Sequence, residues 1–344
     1  MALTAAEQER YSRQVRFHGI GSEGQDRLAR SSVLVLGAGA LGSAIAETLV
    51  RAGVGRIRIV DRDYVEWSNL QRQNLYSEAD AEQRLPKAIA AAQRLRSVNS
   101  SVTVEGIVAD AAAEEIREYT VGVDLILDAS DNFEIRMIIN DISAKAGIPW
   151  IYGACTGSSG ISMTVLPGES ACLHCLIDEL HAEGDTCDTV GIIQPAVQMT
   201  AAYQTTEALK WLAGQKDSLR GTLVSFDLWE NRHVSVATEQ LKRADCPSCG
   251  EKAVYPFLSA TNLSKTAVLC GRDTVQIRPA RAVLLNLELW EELLAVHGEV
   301  RRNPYMLSLE LEKHRIALFP DGRVLIHGTS DTAVARTFYH RYFG

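Results

Sequence analysis

Gly37-Ala38-Gly39-Ala40-Leu41-Gly42 is a Gly-x-Gly-x-x-Gly run, and the chemistry of that spacing is phosphate binding. Glycines there allow a tight turn and let backbone N–H groups at a helix start close on a phosphate. Asp61, at the end of the next expected strand, holds the place of the carboxylate that accepts hydrogen bonds from ribose hydroxyls. The motif alone suits NAD better than ATP. The residues after Asp61 shift the balance: DRDYVEWSNLQRQ is a long polar stretch, and Arg72 within it, with Lys87 beyond, suits the charge of a triphosphate. Asp131, in Asp128-Ala129-Ser130-Asp131-Asn132, can hold Mg²⁺, a hard cation that prefers carboxylate and phosphate oxygens.

Cysteine supplies the second chemistry. Cys172-Leu173-His174-Cys175 and Cys246-Pro247-Ser248-Cys249 are two Cys-x-x-Cys turns, and four thiolates are what a closed tetrahedral Zn²⁺ site takes. The stretch from Cys175 to Cys246 is far longer than a compact finger, so spacing alone leaves the grouping open. With sulfur in every position no water can be activated, and such a zinc would stabilise structure. A thioredoxin-like redox pair is the competing reading, but neither pair follows the first strand of a βαβ unit. His174, between two candidate ligands, reads as an exposed knuckle residue. Cys187 lies in a polar, glycine-bounded loop, Gly184 to Gly191, where a cysteine is seldom core filling; its chemistry would need the thiolate. Catalytic and dispensable roles for it stand level. Cys155 and Cys270 read as core cysteines.

These groups need a scaffold that brings distant segments together. Ser32 to Gly37 reads as a buried parallel strand, and the apolar spacing Ile45, Leu49, Ala52 as a helix ending near Gly53. Further strands are expected at 56–61, 102–108, 125–128 and 150–154, with helices near 86–97, 111–119 and 133–146. That alternation predicts an α/β, Rossmann-like, mainly parallel sheet with ligands at the carboxyl ends of its strands. Strands at 161–166 and 221–226 and a helix at 195–212 would extend it. Residues 255–344 read as a small α+β domain: a strand at 274–277, a helix at 287–296, a hairpin turning at Pro320-Asp321-Gly322, and a helix at 332–342. That block carries 11 Lys/Arg against 9 Asp/Glu, a net +2 beside −10 for residues 1–254, which supports a boundary near 255.

Composition bounds the rest. The chain has 344 residues, 46% hydrophobic and 23% charged, enough for a core and against wholesale disorder. A net charge of −8 gives no general electrostatic grip on nucleic acid or an anionic membrane. Val33 to Val50, the most apolar stretch, carries Gly37, Gly39, Gly42 and Glu47, so no membrane segment is expected. The polar start MALTAAEQERYSRQVR lacks the apolar run of a secretory signal, and seven cysteines are an odd number, so a cytoplasmic chain without a disulfide framework is expected.

Across residues 8 to 250 the chain resembles the ThiF/MoeB/HesA family, bacterial relatives of ubiquitin-activating enzymes. The resemblance rests on Arg10-Tyr11-Ser12-Arg13-Gln14, the glycine run, Asp61-x-Asp63 followed by Ser68-Asn69-Leu70-Gln71-Arg72-Gln73, then Lys87, Asp131-Asn132 and the two Cys-x-x-Cys pairs. It implies ATP-dependent adenylation of the C-terminal glycine, in a Gly-Gly ending, of a ubiquitin-like sulfur-carrier protein. The pathway would be thiamine-thiazole or molybdopterin synthesis, with a lean to the thiazole carrier, and a sulfur donor would act afterwards. By motif, Gly37, Gly39, Gly42, Asp61, Asp63, Asn69, Arg72, Gln73, Lys87 and Asp131 would hold Mg-ATP. Arg72 and Lys87 would contact phosphates, and Asp131 would bind Mg²⁺. Arg13 resembles the arginine that one subunit of the family's homodimer supplies to its partner's phosphates. The four cysteines would share a structural zinc, and Cys187 matches the family's loop cysteine, which in some members links to the carrier. Alternatives are ATP-dependent dehydration of a tRNA base within the superfamily, or an NAD-dependent oxidoreductase. Residues 255–344 show no rhodanese loop and take no assigned catalytic role; packing or dimer support is the preferred reading, with a docking surface for a carrier or sulfur donor as the alternative.

Overall fold

The computed structural model describes residues 4–177, 190–258, 266–269, 273–279 and 283–343. Two compact units divide the chain, one built mainly on residues up to 261 and one mainly on 262–344 together with Gln83–Leu85.

The larger unit starts with three short helices, α1 (Ala5–Arg10), α2 (Ser12–Val15) and α3 (Gly21–Leu28). Then β1 (Ser32–Leu36), α4 (Ala40–Ala52), β2 (Arg56–Asp61), α5 (Glu78–Glu82), α6 (Lys87–Val98), β3 (Thr103–Val108), α7 (Ala113–Tyr119), β4 (Leu125–Asp128), α8 (Phe133–Ala146) and β5 (Trp150–Thr156) alternate. After them come β6 (Ser159–Val165), α9 (Leu173–Ile177), α10 (Gln194–Leu212), β7 (Thr222–Asp227) and β8 (Arg232–Ala237). The strands form one eight-stranded sheet in the order β3-β2-β1-β4-β5-β6-β7-β8. From β3 to β5 neighbours are parallel; β6, β7 and β8 join antiparallel.

The parallel half is what the sequence predicts, for a physical reason. β1 lies between β2 and β4 with helices on both sides, and Val33, Leu34 and Val35 are all fully buried, so the strand reads as an unbroken apolar run. α4 stops where Gly53 turns left-handed at φ 81°, and Gly53 also lacks the Cβ that would strike the Tyr11 ring, 2.5 Å away. Asn132 caps α8 by accepting the N–H groups of Glu134 and Ile135. α10 packs across α4, β5 and β6, and its buried Gln204 donates to the carbonyls of Asp128 and Ile151. The sheet ends at β8, all six of whose residues are exposed.

The smaller unit holds six strands, β9 (Thr266–Leu269), β10 (Thr274–Ile277), β11 (Glu299–Asn303), β12 (Met306–Glu310), β13 (Arg315–Leu318) and β14 (Val324–His327). They form an antiparallel sheet in the order β11-β12-β13-β14-β10-β9. Two helices, α11 (Leu287–Leu294) and α12 (Thr332–Phe343), cover Val275, Ile277, Leu307, Leu309, Ile316, Leu318, Val324 and Ile326. Arg84 belongs to this unit, paired with Glu310 at 2.6 Å.

Candidate active site

The three glycines do three different things. Gly37 sits at φ 100°, and a Cβ there would lie 2.4 Å from the Ala129 carbonyl oxygen, so it permits both the left-handed turn and the approach of the β4 loop. A Cβ on Gly42 would lie 1.9 Å from the Gly37 carbonyl oxygen, so Gly42 lets the helix start fold back on the turn. Gly39 has nothing nearer than 3.9 Å, leaving open space over the first turn of α4 for an anion. Gly42→Ala is therefore expected to destabilise the unit by roughly 3 kcal/mol or more, while Gly39→Ala leaves stability almost unchanged. Urea unfolding midpoints of the two variants test the difference; equal losses would sink it.

The sheet order reverses at β1, between β2 and β4, and that is where the charged residues gather. Asp61, ending β2, accepts the Ala38 N–H through Oδ2 and the Asp63 N–H through Oδ1, both at 2.6 Å. Burial pushes its carboxyl up, against the pull of Lys87. Lys87 opens α6 at only 2% exposure, with Nζ 3.2 Å from Asp63 Oδ2 and its own N–H on the Asp63 carbonyl. Desolvated as it is, this ammonium would meet an incoming oxyanion at low dielectric, where its charge counts most.

Asn69 is buried in the β2 loop and shapes it by accepting the Glu66 N–H. Arg72 is half-buried and donates to the Ser68 carbonyl. Gln73 is buried beside Gly39, and its Oε1 has no hydrogen-bond partner among the described residues. Asp131 is exposed just ahead of α8 and acts electrostatically on both Arg62 and Arg136. Arg13 is exposed on α2, while its motif neighbours hold the helix down. Arg10 donates to the Val98 carbonyl, Tyr11 accepts from Asn99, and Gln14 donates to the Ala52 carbonyl at the end of α4.

Several contributors lie outside the residues that the sequence motifs single out. Arg62 donates to Asp110 at 3.3 Å and lies 3.9 Å from Asp63. Burial alone would lower its guanidinium, but Asp63 and Asp110 outweigh that and it holds its proton more tightly than usual. Tyr76, buried, donates to the Ala38 carbonyl at 2.5 Å and lies 3.3 Å from the Lys87 carbonyl, joining the glycine turn to the start of α6. Arg136 reaches Asp128 at 3.1 Å and the Ser130 carbonyl at 2.7 Å, fixing the loop that carries Asp131. Only Arg62 had a hint, its place between two aspartates.

The two cysteine pairs, distant in the chain, come together. Sγ separations are 3.8 Å for Cys172–Cys175, 3.6 Å for Cys172–Cys246 and 3.5 Å for Cys175–Cys249, and all four sulfurs lie within 4.8 Å of one another. Tetrahedral Zn–S bonds of about 2.3 Å put sulfurs roughly 3.8 Å apart, so the donor set and its spacing fit zinc. His174 corrects the expectation of an exposed knuckle residue: it is half-buried, with Nδ1 2.8 Å from Ser248 Oγ, because the second knuckle folds against the first. Cys155 is half-buried near the end of β5 and is not core filling. Cys187 and Cys270 lie outside the described residues.

A family model described as the ThiF family matches residues 11–248. The chain is 52% identical to a Bacillus subtilis (strain 168) protein named Sulfur carrier protein ThiS adenylyltransferase, over 97% of this chain and 99% of that protein. It is 34% identical to an Escherichia coli (strain K12) protein of the same name, over 72% of this chain and 97% of that one. To Adenylyltransferase and sulfurtransferase MOCS3 of Sus scrofa it is 34% identical, over 78% of this chain and 58% of the other. Its fold is similar to a crystal structure of E. coli MccB with ATP, at a TM-score of 0.61 and 22% identity, over 70% of this chain and 74% of that one. Among the described residues no helix is long and apolar enough to cross a membrane.

Proposed function

The chain belongs to the ThiF family, and from that premise we propose how its residues perform the adenylation. It is an adenylyltransferase that uses ATP to activate the C-terminal carboxylate of a ubiquitin-like sulfur-carrier protein. A carboxylate is a poor acyl donor because its oxygen leaves badly; joined to AMP, the same oxygen leaves readily when sulfur arrives. The terminal carboxylate attacks the α-phosphorus, the bond to the bridging oxygen breaks, and pyrophosphate departs with the electron pair.

The observation that carries this reading is the Asp61–Asp63–Lys87 group, set against the open space over Gly39 at the reversal of the sheet. Backbone N–H groups of the turn and the α4 start receive phosphate, and Asp61, its inner lone pairs held by N–H groups, presents the remaining ones to the ribose. Asn69 and Gln73 line the nucleotide. Lys87 and Arg72 neutralise the charge that builds on the departing pyrophosphate. Asp131, with Asp63, would hold Mg²⁺, which supplies charge neutralisation at the phosphates. Arg13, exposed on α2, serves the site of a second copy in a homodimer. The four cysteines hold a structural Zn²⁺. Cys187 serves the later sulfur transfer, with a sulfur donor, and not the adenylation.

The carrier is ThiS-like: the 52% relative named for ThiS matches along nearly the whole chain, whereas the MOCS3 match is weaker and partial. Exchange of labelled pyrophosphate into ATP, with thiazole and molybdopterin carriers ending in Gly-Gly supplied in parallel, tests this. Exchange is expected with the ThiS-like carrier and is abolished when its last glycine is removed. Exchange independent of any carrier would overturn the reading.

A further inference from the structure

The two Cys-x-x-Cys turns are joined by more than their sulfurs. His174, between Cys172 and Cys175, meets Ser248, between Cys246 and Cys249, at 2.8 Å. Ser248 is fully buried, and so is Asp141 on α8, whose Oδ1 has no hydrogen-bond partner among the described residues and stands as an acceptor for the Ser248 hydroxyl. Asp141 accepts the Phe257 N–H at 2.8 Å, and the Phe257 ring stands edge-on to His174 with centroids 6.0 Å apart. One residue earlier, Asn140 accepts the Leu173 N–H at 2.8 Å. Two consecutive residues of one helix therefore hold the first knuckle and the segment that follows the second.

We propose that His174, Ser248 and Asp141 form a latch that aligns the two knuckles on α8, presetting the four sulfurs for their metal. The proposal rests on the structural-metal reading above and adds residues that touch no metal. Its chemistry is directional: a hydroxyl has one proton, and given to the Asp141 carboxylate it leaves the Ser248 oxygen to accept from His174 Nδ1–H. The shared apolar cluster brings these two distant segments near each other, and the latch would fix the freedom that remains, so that the metal does not bear that part of the ordering cost. Groups behind the ligands that fix their positions typically change metal affinity by about 10–100-fold.

The test uses the full chain with Cys155, Cys187 and Cys270 replaced by serine, so that each reactive thiol belongs to the cluster. After chelator treatment, modification of those thiols by a disulfide reagent is timed; separately, release of zinc from reloaded protein to a competing chelator is timed. Ser248→Ala and His174→Leu are expected to speed both by about tenfold or more, while His174→Asn, which keeps a polar atom at the Nδ1 position, stays near the parent. Parental rates in Ser248→Ala, or equal rates for His174→Leu and His174→Asn, would overturn the latch. If the parent holds no zinc, the metal reading falls, and the thiol rates still decide whether the latch exists.

Discussion

Arg13→Ala should lower carrier adenylation by about 10³-fold or more, the scale at which a positioned arginine acts on phosphoryl chemistry, and leave folding intact. The reason for an intact fold is geometric. Arg10, Tyr11 and Gln14 anchor α1 and α2, while Arg13 is exposed. Lys87→Ala should fail in the same assay, since it removes the buried cation at the proposed nucleotide site; Arg62 remains beside Asp63 and limits the damage to stability. Mixing the two inactive variants distinguishes service in trans from service in cis. In a mixed dimer one site has both an intact Lys87 and an intact Arg13 from its neighbour. With free subunit exchange at equal amounts, about a quarter of all sites recover. No recovery, with mixed dimers shown to form, would exclude Arg13 from the partner's site.

Cys175→Ser should remove the metal and lower the unfolding midpoint by about 10 °C or more, because a closed thiolate site contributes directly to folding free energy. Cys175 is 1% exposed and belongs to the same apolar cluster as Trp150, Met137 and Leu173, so loosening the knuckle opens that cluster. Cys155→Ser, on a half-buried strand position outside the sulfur group, should change the midpoint by little. Calorimetry with and without a chelator, alongside metal analysis, checks both. A chelator-treated wild type that melts unchanged would remove zinc from the structural account.

The parallel half of the large sheet was legible because burial on two sides forces continuous apolar runs, as in Val33–Leu36, and because Gly37 and Gly42 do backbone jobs that other residues cannot. β8 and β11 were not. Arg232–Ala237 is exposed throughout and Glu299–Asn303 is mostly charged, so neither carries the apolar signal by which a strand announces itself. The α10 boundary was readable from Pro195, which stands in the first turn. At the candidate site, Gly37 and Gly42 were legible because the backbone there restricts residue type. Tyr76 and Arg136 escaped because they act through backbone carbonyls that only the folded chain brings near. His174 was misread for a related reason: its partner, Ser248, belongs to the other knuckle, far along the chain.

Helix α8 has its first turn beside Asp131 and its third turn under the cysteine knuckles. A rod of 14 residues spans about 21 Å, and it has no hinge of its own to absorb a shift at either end. The practical corollary concerns bench handling: if the four sulfurs hold a metal, its loss at one end is expected to surface as poorer ATP affinity at the other, so the two should fall together. A weak preparation should therefore be assayed for metal content before its nucleotide pocket is blamed.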